Sequence, residues 1–399
     1  MTRRILFVDD DPNLLQGLKR MLRSMRHEWE MAFALGGQEA LDQLGRTSFD
    51  VIVSDVRMPV INGVQLLEEV KRRFPHTVRI LLSGQSDAEM IMSAIGPAHQ
   101  YLAKPCEADV LKRTINRACM LGDYLSNDRL KQLVAQVETI PPLPSLYLEL
   151  ENELKSSNSS VDRAAAIVAQ DISMTAKLLK LVNSAFFGAH RPIADPVQAV
   201  LFLGLDTLKT LVLSVKIFEQ IGSQMASGFI YDRFWAHSLA VGEYARNIVL
   251  AENGDRRMLE ETLAAGLLHD LGVLLLASQL PDAYQETFQI AAREQLSLEE
   301  AERHTLGATH AEIGAYLLGL WGLSTSVVEA VAFHHNPHSC PTRQWSPLTA
   351  VHVANALLHD TTDGLERTGA SDEVDMAYLD SLGLSERIAT WRDLGSVPV

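Results

Sequence analysis

Five short apolar runs, each followed by a helical pattern, fill the first 120 residues. Ile5–Val8 reads as a strand, and Leu14, Leu15, Leu18, Met21 and Leu22 as one face of the helix after it. Met31–Ala34 is followed by Ala40, Leu41 and Leu44. Val51–Val53 is followed by Val64, Leu66, Leu67 and Val70. Val78–Leu82 precedes a helix over Met90–Ile95, and Tyr101–Ala103 precedes one over Val110–Ala118. Continuous apolar runs suit strands buried on both faces, and their alternation with helices predicts an α/β, doubly wound, five-stranded parallel sheet.

From Leu146 the period lengthens to that of helices. Val161–Gln170, Met174–Val182, Val197–Leu203, Leu208–Phe218, Trp235–Leu250, Leu259–Leu268, Ala311–Leu318 and Val327–Phe333 all fit, with Gly188, Gly204, Gly254 and Gly272 marking ends. This predicts an all-α C-terminal domain. Between the two regions, Leu111, Ile115 and Ala118 continue toward Leu125, and Leu130, Leu133 and Val137 resume after a five-residue step. Asn127-Asp128 either interrupts this helix or opens a second one. The joint reads equally as a dimerising helix and as one packed on its own domain. The prolines of Ile140–Pro144 end it. The boundaries expected are 1–120, 121–139 and 140–399.

In a parallel sheet the carboxyl ends of all strands share one edge. Asp9 and Asp10 follow the first strand, Asp55 the third, Ser83 the fourth and Lys104 the fifth. Three gathered carboxylates repel one another and call for a hard cation such as Mg²⁺. Lys104 adds a fixed positive charge and Ser83 a hydroxyl. One carboxylate in such a site can accept a phosphoryl group whose oxygens the metal and lysine neutralise.

These residues carry a resemblance. Asp9-Asp10, Asp55 with Met58-Pro59 and Asn62-Gly63, Ser83 and Lys104-Pro105 resemble, in order and spacing, a response-regulator receiver domain over residues 1–120. The resemblance implies Asp55 as phosphoacceptor and Mg²⁺ held by Asp10, Asp55 and the Arg57 carbonyl, with Asp9 acting directly or through water. It implies that Lys104 and Ser83 engage the phosphoryl oxygens, that Tyr101 is a switch aromatic, and that a sensor histidine kinase is the donor. Asp11 reads as a helix N-cap.

The second region has a histidine series: His237 within a helix, His269-Asp270 at a helix end, His310 before AEIGAYLL, His334-His335 after a helix, and His352 within VHVANALL. Imidazoles with a carboxylate form a ligand set for a divalent metal that could activate water for phosphoester hydrolysis. The same residues could instead form a buried hydrogen-bond network. Asn183 and Ser184, in LLKLVNSAFFG, read as buried hydrogen-bonding or capping groups.

Ile140–Pro144, LLKLVNSAFFG and GLLHDLG are together similar to the HDOD output domain, a branch of the HD superfamily regarded as lacking catalysis. The catalytic HD-GYP branch, cyclic di-GMP phosphodiesterases, has the pattern His, His-Asp, His, His-His, Asp. Here that pattern would fall on His237, His269-Asp270, His310, His334-His335 and then Asn355. The final acid is thus replaced by Asn355, Val273 stands where a lysine is expected, and Asn336-Pro337 follows the His pair in place of Gly-Tyr-Pro. The resemblance therefore implies a part-retained metal shell without the substrate apparatus.

Composition narrows the role. The 399 residues carry 50 acidic and 35 basic side chains, a formal charge of −15. With no basic recognition helix, DNA binding is not expected. Cys106, Cys119 and Cys340 form no CxxC and no even set, which points to a reducing compartment. Leu263–Leu276, broken by His269-Asp270, is too short to span a bilayer, so a cytoplasmic protein is expected. The expectation is a response regulator, phosphorylated on Asp55, that signals through a non-catalytic helical domain to downstream proteins, with homodimerisation as one output. The alternative is a metal-dependent phosphohydrolase controlled by the receiver.

Overall fold

The computed structural model describes residues 2–83, 97–120, 125, 127–137, 144–156, 158–183, 193–209, 211–212, 231–359 and 373–394. The chain divides into two compact units. One holds residues 1–138 with 180–192 and 319–322; the other holds 139–179, 193–318 and 323–399. The helix expected at Met90–Ile95, Ser184–Gly188 and part of Leu208–Phe218 lie outside the described residues.

The first unit is built on β1 (Arg3–Asp9), β2 (Trp29–Leu35), β3 (Val51–Asp55), β4 (Val78–Ser83) and β5 (Gln100–Ala103). All pairings are parallel, in the order β2-β1-β3-β4-β5. The sheet is therefore the expected doubly wound one. Its order reverses between β1 and β3, which opens a crevice beyond their carboxyl ends. Both strands are buried there: Ile5–Asp9 and all of Val51–Asp55 lose nearly all solvent contact. That is why their sequences are apolar without alternation.

Helices α1 (Pro12–Met21), α2 (Gly37–Leu44), α3 (Gly63–Arg73) and α4 (Ala108–Met120) accompany the sheet. Asp11 caps α1 by accepting the Asn13 N–H, as its sequence position suggests. Asn62 and Gln65 form a reciprocal capping box that starts α3. In the joint, Asn127 opens a separate helix, α5 (Asp128–Gln136), by accepting the N–H groups of Arg129 and Leu130. Of the two readings of Asn127-Asp128, the second helix is the observed one.

Arg79, near the start of β4, is only 1 % exposed. Its guanidinium donates to the carbonyls of Pro97 at 2.6 Å, Ala135 at 2.7 Å and Thr77 at 3.3 Å. Backbone acceptors thus satisfy a buried cation that its apolar neighbours in the sequence hide.

The other described elements are helical: α6 (Pro144–Lys155), α7 (Val161–Ala169), α8 (Ile172–Val182), α9 (Pro196–Leu203), α10 (Leu205–Lys209), α11 (Tyr231–Ala251), α12 (Arg256–Leu268), α13 (Leu271–Gln279), α14 (Pro281–Glu294), α15 (Leu298–Thr305), α16 (His310–Leu320), α17 (Thr325–Phe333), α18 (Pro347–His359), α19 (Met376–Ser381) and α20 (Ile388–Leu394). The all-α expectation holds. In the second unit α11 and α12 touch backbone to backbone, because a Cβ on Gly266 would lie 2.5 Å from the Gly242 Cα. This brings the His237 end of α11 toward the His269 end of α12. The apolar stretch expected to be too short for a membrane runs to 24 residues, Arg256–Gln279, long enough by length and composition; 89 % of its most apolar window is buried inside the fold.

The cysteines are all reduced. Burial pushes the Cys119 thiol up to about 12, and raises those of Cys340 and Cys106 as well. Cys106 alone is part-exposed. At about pH 8 a disulfide reagent is expected to label Cys106 first, with Cys119 and Cys340 reacting only upon unfolding. Mass mapping of labelled peptides checks this.

Candidate functional site

At the β1/β3 crevice Asp9 and Asp55 are buried and Asp10 is exposed. One oxygen from each lies within 4.8 Å of the others. Lys104 Nζ donates to Asp9 Oδ2 at 2.9 Å and pairs closely with Asp55 Oδ1. The Arg57 N–H donates to Asp55 Oδ2 at 3.0 Å, and the Asp11 N–H to Asp9 Oδ1 at 2.9 Å. Burial raises the Asp55 pKa above the ordinary carboxyl value against the opposing pull of Lys104, and Asp9 raises it further. Burial lowers that of Lys104, but Asp55 and Asp9 more than reverse this, so it stands above the ordinary lysine value. The lysine is held charged between two carboxylates, in a pocket whose oxygen donors suit a hard divalent cation.

Ser83 is buried at the end of β4, and its carbonyl accepts the Lys104 N–H at 2.7 Å. Tyr101 is buried in the apolar cluster that also holds Val56, Met58 and Leu81. Gly63 fixes the local geometry. A Cβ there would lie 2.0 Å from the Asp55 carbonyl oxygen, so only glycine lets α3 start against the end of β3. Gly63→Ala is expected to cost about 3 kcal/mol of stability, read by urea unfolding of the receiver unit.

The histidines of the second unit come together around Asp270. His269 Nε2 lies 3.1 Å from Asp270 Oδ2; His310 Nε2 and His334 Nε2 lie 3.3 and 3.5 Å from Oδ1. His237 Nε2 is 3.9 Å from Oδ2, and His335 Nε2 is 3.0 Å from His310 Nε2. Donor atoms of Asp270, His310, His334 and His335 fall within 4.8 Å of one another, as do those of His237, His269 and Asp270. All six predicted residues are thus brought together. His352 stands apart: its Nδ1 bonds the His334 carbonyl at 2.7 Å, and its Nε2 accepts the Asp375 N–H at 2.9 Å.

Ring orientation is set from outside. Nδ1 of His269 and of His334 bonds the carbonyls of Gly266 and Val331, at 2.7 and 2.8 Å. Their Nε2 atoms therefore face Asp270, buried and making no hydrogen bond. Buried nitrogens in that condition are costly unless something takes them up. Burial, then the neighbouring His335, holds the His334 pKa well below the ordinary histidine value. Burial opposes the Asp270 carboxylate, but the surrounding histidines outweigh it and hold its pKa well below the usual range. Inward-facing Nε2 atoms, with that of His334 held neutral, beside an ionised carboxylate have the donor chemistry of a first-row divalent metal centre.

Asn355 lies beside His237, with Oδ1 3.1 Å from its Nε2. Gly272 plays the part here that Gly63 plays in the receiver. A Cβ would stand 2.0 Å from the His310 carbonyl oxygen, so glycine allows α13 and α16 to meet. Gly272→Ala is expected to destabilise the second unit by about 3 kcal/mol, measured by urea unfolding. Glu302 is a residue that sequence reasoning missed. Fully buried, it accepts from both the N–H and Nδ1 of His310. Nothing in SLEEAERHT separates it from Glu299 and Glu300, which lie on the same helix.

A parallel α/β sheet with carboxylates and a lysine at its strand ends, on a chain with an all-helical second unit, has the organisation of a response regulator with an output domain. The chain is of that class: residues 5–116 match the response regulator receiver domain, and residues 140–337 the HDOD domain. An uncharacterized protein of Treponema pallidum is 28 % identical over 253 residues, covering 62 % of this chain and 48 % of its own length. The hydrogenase transcriptional regulatory protein HoxA of Cupriavidus necator is 36 % identical over 116 residues, covering 29 % of this chain and 23 % of its own. The chain therefore spans about half or less of these curated relatives. Among solved structures, the MmoQ response regulator of Methylococcus capsulatus aligns with a TM-score of 0.49 at 21 % identity, covering 65 % of this chain and 98 % of that one. An HDOD domain protein of Geobacter sulfurreducens aligns at 0.36 with 22 % identity, covering 67 % of this chain and 95 % of that one.

Proposed function

We propose that this two-component response regulator is phosphorylated on Asp55 by a histidine kinase in the cytoplasm and signals through its HDOD domain to partner proteins. The observation that carries this reading is the convergence of Asp9, Asp10 and Lys104 on Asp55 at the sheet's reversal point. A carboxylate oxygen of Asp55 attacks phosphorus, and the bond to the donor's imidazole nitrogen breaks. Lys104 stands beside the attacking Asp55 carboxylate, where it can also meet the phosphoryl oxygens, and the Arg57 N–H orients that carboxylate. Asp10, Asp55 and the Arg57 carbonyl, with Asp9 nearby, would hold Mg²⁺, which would supply charge neutralisation when bound. Ser83 follows the new phosphoryl oxygens and Tyr101 repacks. The added charge then biases dimerisation or the exposed face of the output domain. Incubation with acetyl phosphate and Mg²⁺ tests this: the protein should gain one hydroxylamine-labile phosphoryl group. Intact mass that does not change would overturn the reading.

The histidine centre favours a second reading for the output domain: it takes a divalent metal through His237, His269, Asp270, His310, His334 and His335. The inward Nε2 atoms support it. With a metal bound, the centre would have the water-activating chemistry of a phosphohydrolase. Asn355 and Val273 deprive it of one carboxylate and one cation, which favours the non-catalytic role. Assay of cyclic dinucleotide hydrolysis, beside His269→Ala, separates the two. Turnover lost in that variant would establish the enzyme and overturn the scaffold.

A further inference from the structure

Three rings of the histidine centre, His269, His310 and His334, are each fastened through Nδ1, but not by the same kind of group. His269 and His334 are held by neutral backbone carbonyls of their own helices. His310 is held by a carboxylate, Glu302 Oε2 at 2.8 Å. The same oxygen accepts the His310 backbone N–H at 2.7 Å, at the start of α16, where a helix favours negative charge. The other oxygen, Oε1, accepts from the Tyr284 hydroxyl at 2.5 Å. Glu302 and Tyr284 are both fully buried. Glu302 is therefore clamped on three sides and cannot itself turn toward Asp270.

We propose that Glu302 is the positioning residue of the histidine centre, holding His310 with Nε2 inward and supplying the second negative charge that a buried divalent cation requires. The inference rests on the reading that the centre takes such a cation. Asp270 is the carboxylate within the ligand set, so one negative charge would face two positive ones. Glu302, one imidazole away, completes the balance without occupying a coordination position. A carboxylate bonded to the far nitrogen of a ligating histidine also raises that ligand's basicity. Leaving a net charge in a buried site is expensive, so the second carboxylate matters more here than it would at a surface.

A purely structural Glu302 makes a different prediction. Gln has the same shape: its oxygen can accept from His310, and its amide can face the Tyr284 oxygen. If Glu302 only braces α16, Glu302→Gln changes metal-free stability and leaves affinity unchanged. If it positions and neutralises, Glu302→Gln keeps the fold and weakens metal uptake about 10- to 100-fold.

The experiment is Zn²⁺ titration of chelator-treated full-length protein in excess Mg²⁺, counting the uptake that His334→Ala abolishes as the centre's own. The expected result is weakened uptake in Glu302→Gln, with metal-free circular dichroism and melting close to wild type. Uptake in Glu302→Gln within about threefold of wild type would overturn the proposal and leave the metal reading standing. Wild type without any His334-dependent uptake would overturn both. Should Glu302→Gln fail to fold, Glu302→Asp takes its place, since it keeps the charge but withdraws it from His310. Wild-type affinity in that variant would overturn the positioning role.

Discussion

Asp55→Asn is expected to take up no phosphoryl group from acetyl phosphate and Mg²⁺, where the wild type takes up one. The loss is complete because an amide oxygen is no nucleophile for phosphorus at neutral pH, and the neighbouring acids are poorly placed to substitute. Asp9 already accepts from Lys104 and from the Asp11 N–H, and Asp10, exposed at the rim of the crevice, has no lysine held against it as Asp55 has. Intact-mass spectrometry reads the result, and a variant that still gained the group would move the acceptor elsewhere. The same substitution has a second, opposite effect on stability. Burial raises the Asp55 pKa in the folded chain above its ordinary value of 3.8. The native state thus binds the proton more tightly than the unfolded one. Its contribution is full below that ordinary value and is lost as pH rises through the raised one. At neutral pH the ionised carboxylate is therefore a burden, and metal-free Asp55→Asn should melt a few degrees above wild type.

The second large effect is at Asp270. Both groups of donor atoms in the helical unit include this one carboxylate. Asp270→Asn keeps the shape and removes the charge that faces His269, His310 and His334. Divalent metal uptake by the centre is expected to fall at least about 100-fold, the upper end of what outer-shell partners cost. Equilibrium dialysis against Zn²⁺ or Mn²⁺, followed by metal analysis, gives the comparison; uptake equal to wild type would remove Asp270 from the ligand set. Asn355→Asp should move affinity the other way, since it places a carboxylate beside His237 Nε2.

The sheet was legible in the sequence because each strand is buried on both faces and so carries an unbroken apolar run. Strand ends then disclosed Asp9, Asp10, Asp55, Ser83 and Lys104, because one parallel edge collects them whatever the loops do. Two things on the same strands were hidden. Which of Asp9 and Asp10 is buried depends on the twist at the end of β1, and nothing within Val78–Leu82 marks Arg79 as buried. Its burial rests on carbonyls up to 56 residues away, as with Ala135. In the helical unit the six ligand candidates were visible as residue types, and GLLHDLG as a helix end. Their convergence depends on the close approach of Gly242 to Gly266 and of Gly272 to His310, which no local pattern reports. Glu302 was invisible for the same reason, being one acid among several on a polar helix.

The two contact glycines constrain how this gene can vary. Every replacement of glycine by another amino acid adds a Cβ, so no missense change at codon 63 or codon 272 spares the Asp55 or His310 carbonyl. Gly17, with open space around its Cα, has no such restriction. A saturation library selected for signalling should tolerate many residues at 17 and return glycine alone at 63. Glycine alone at 272 would show that selection acts on the geometry of the histidine centre, independently of any assay for what that centre binds.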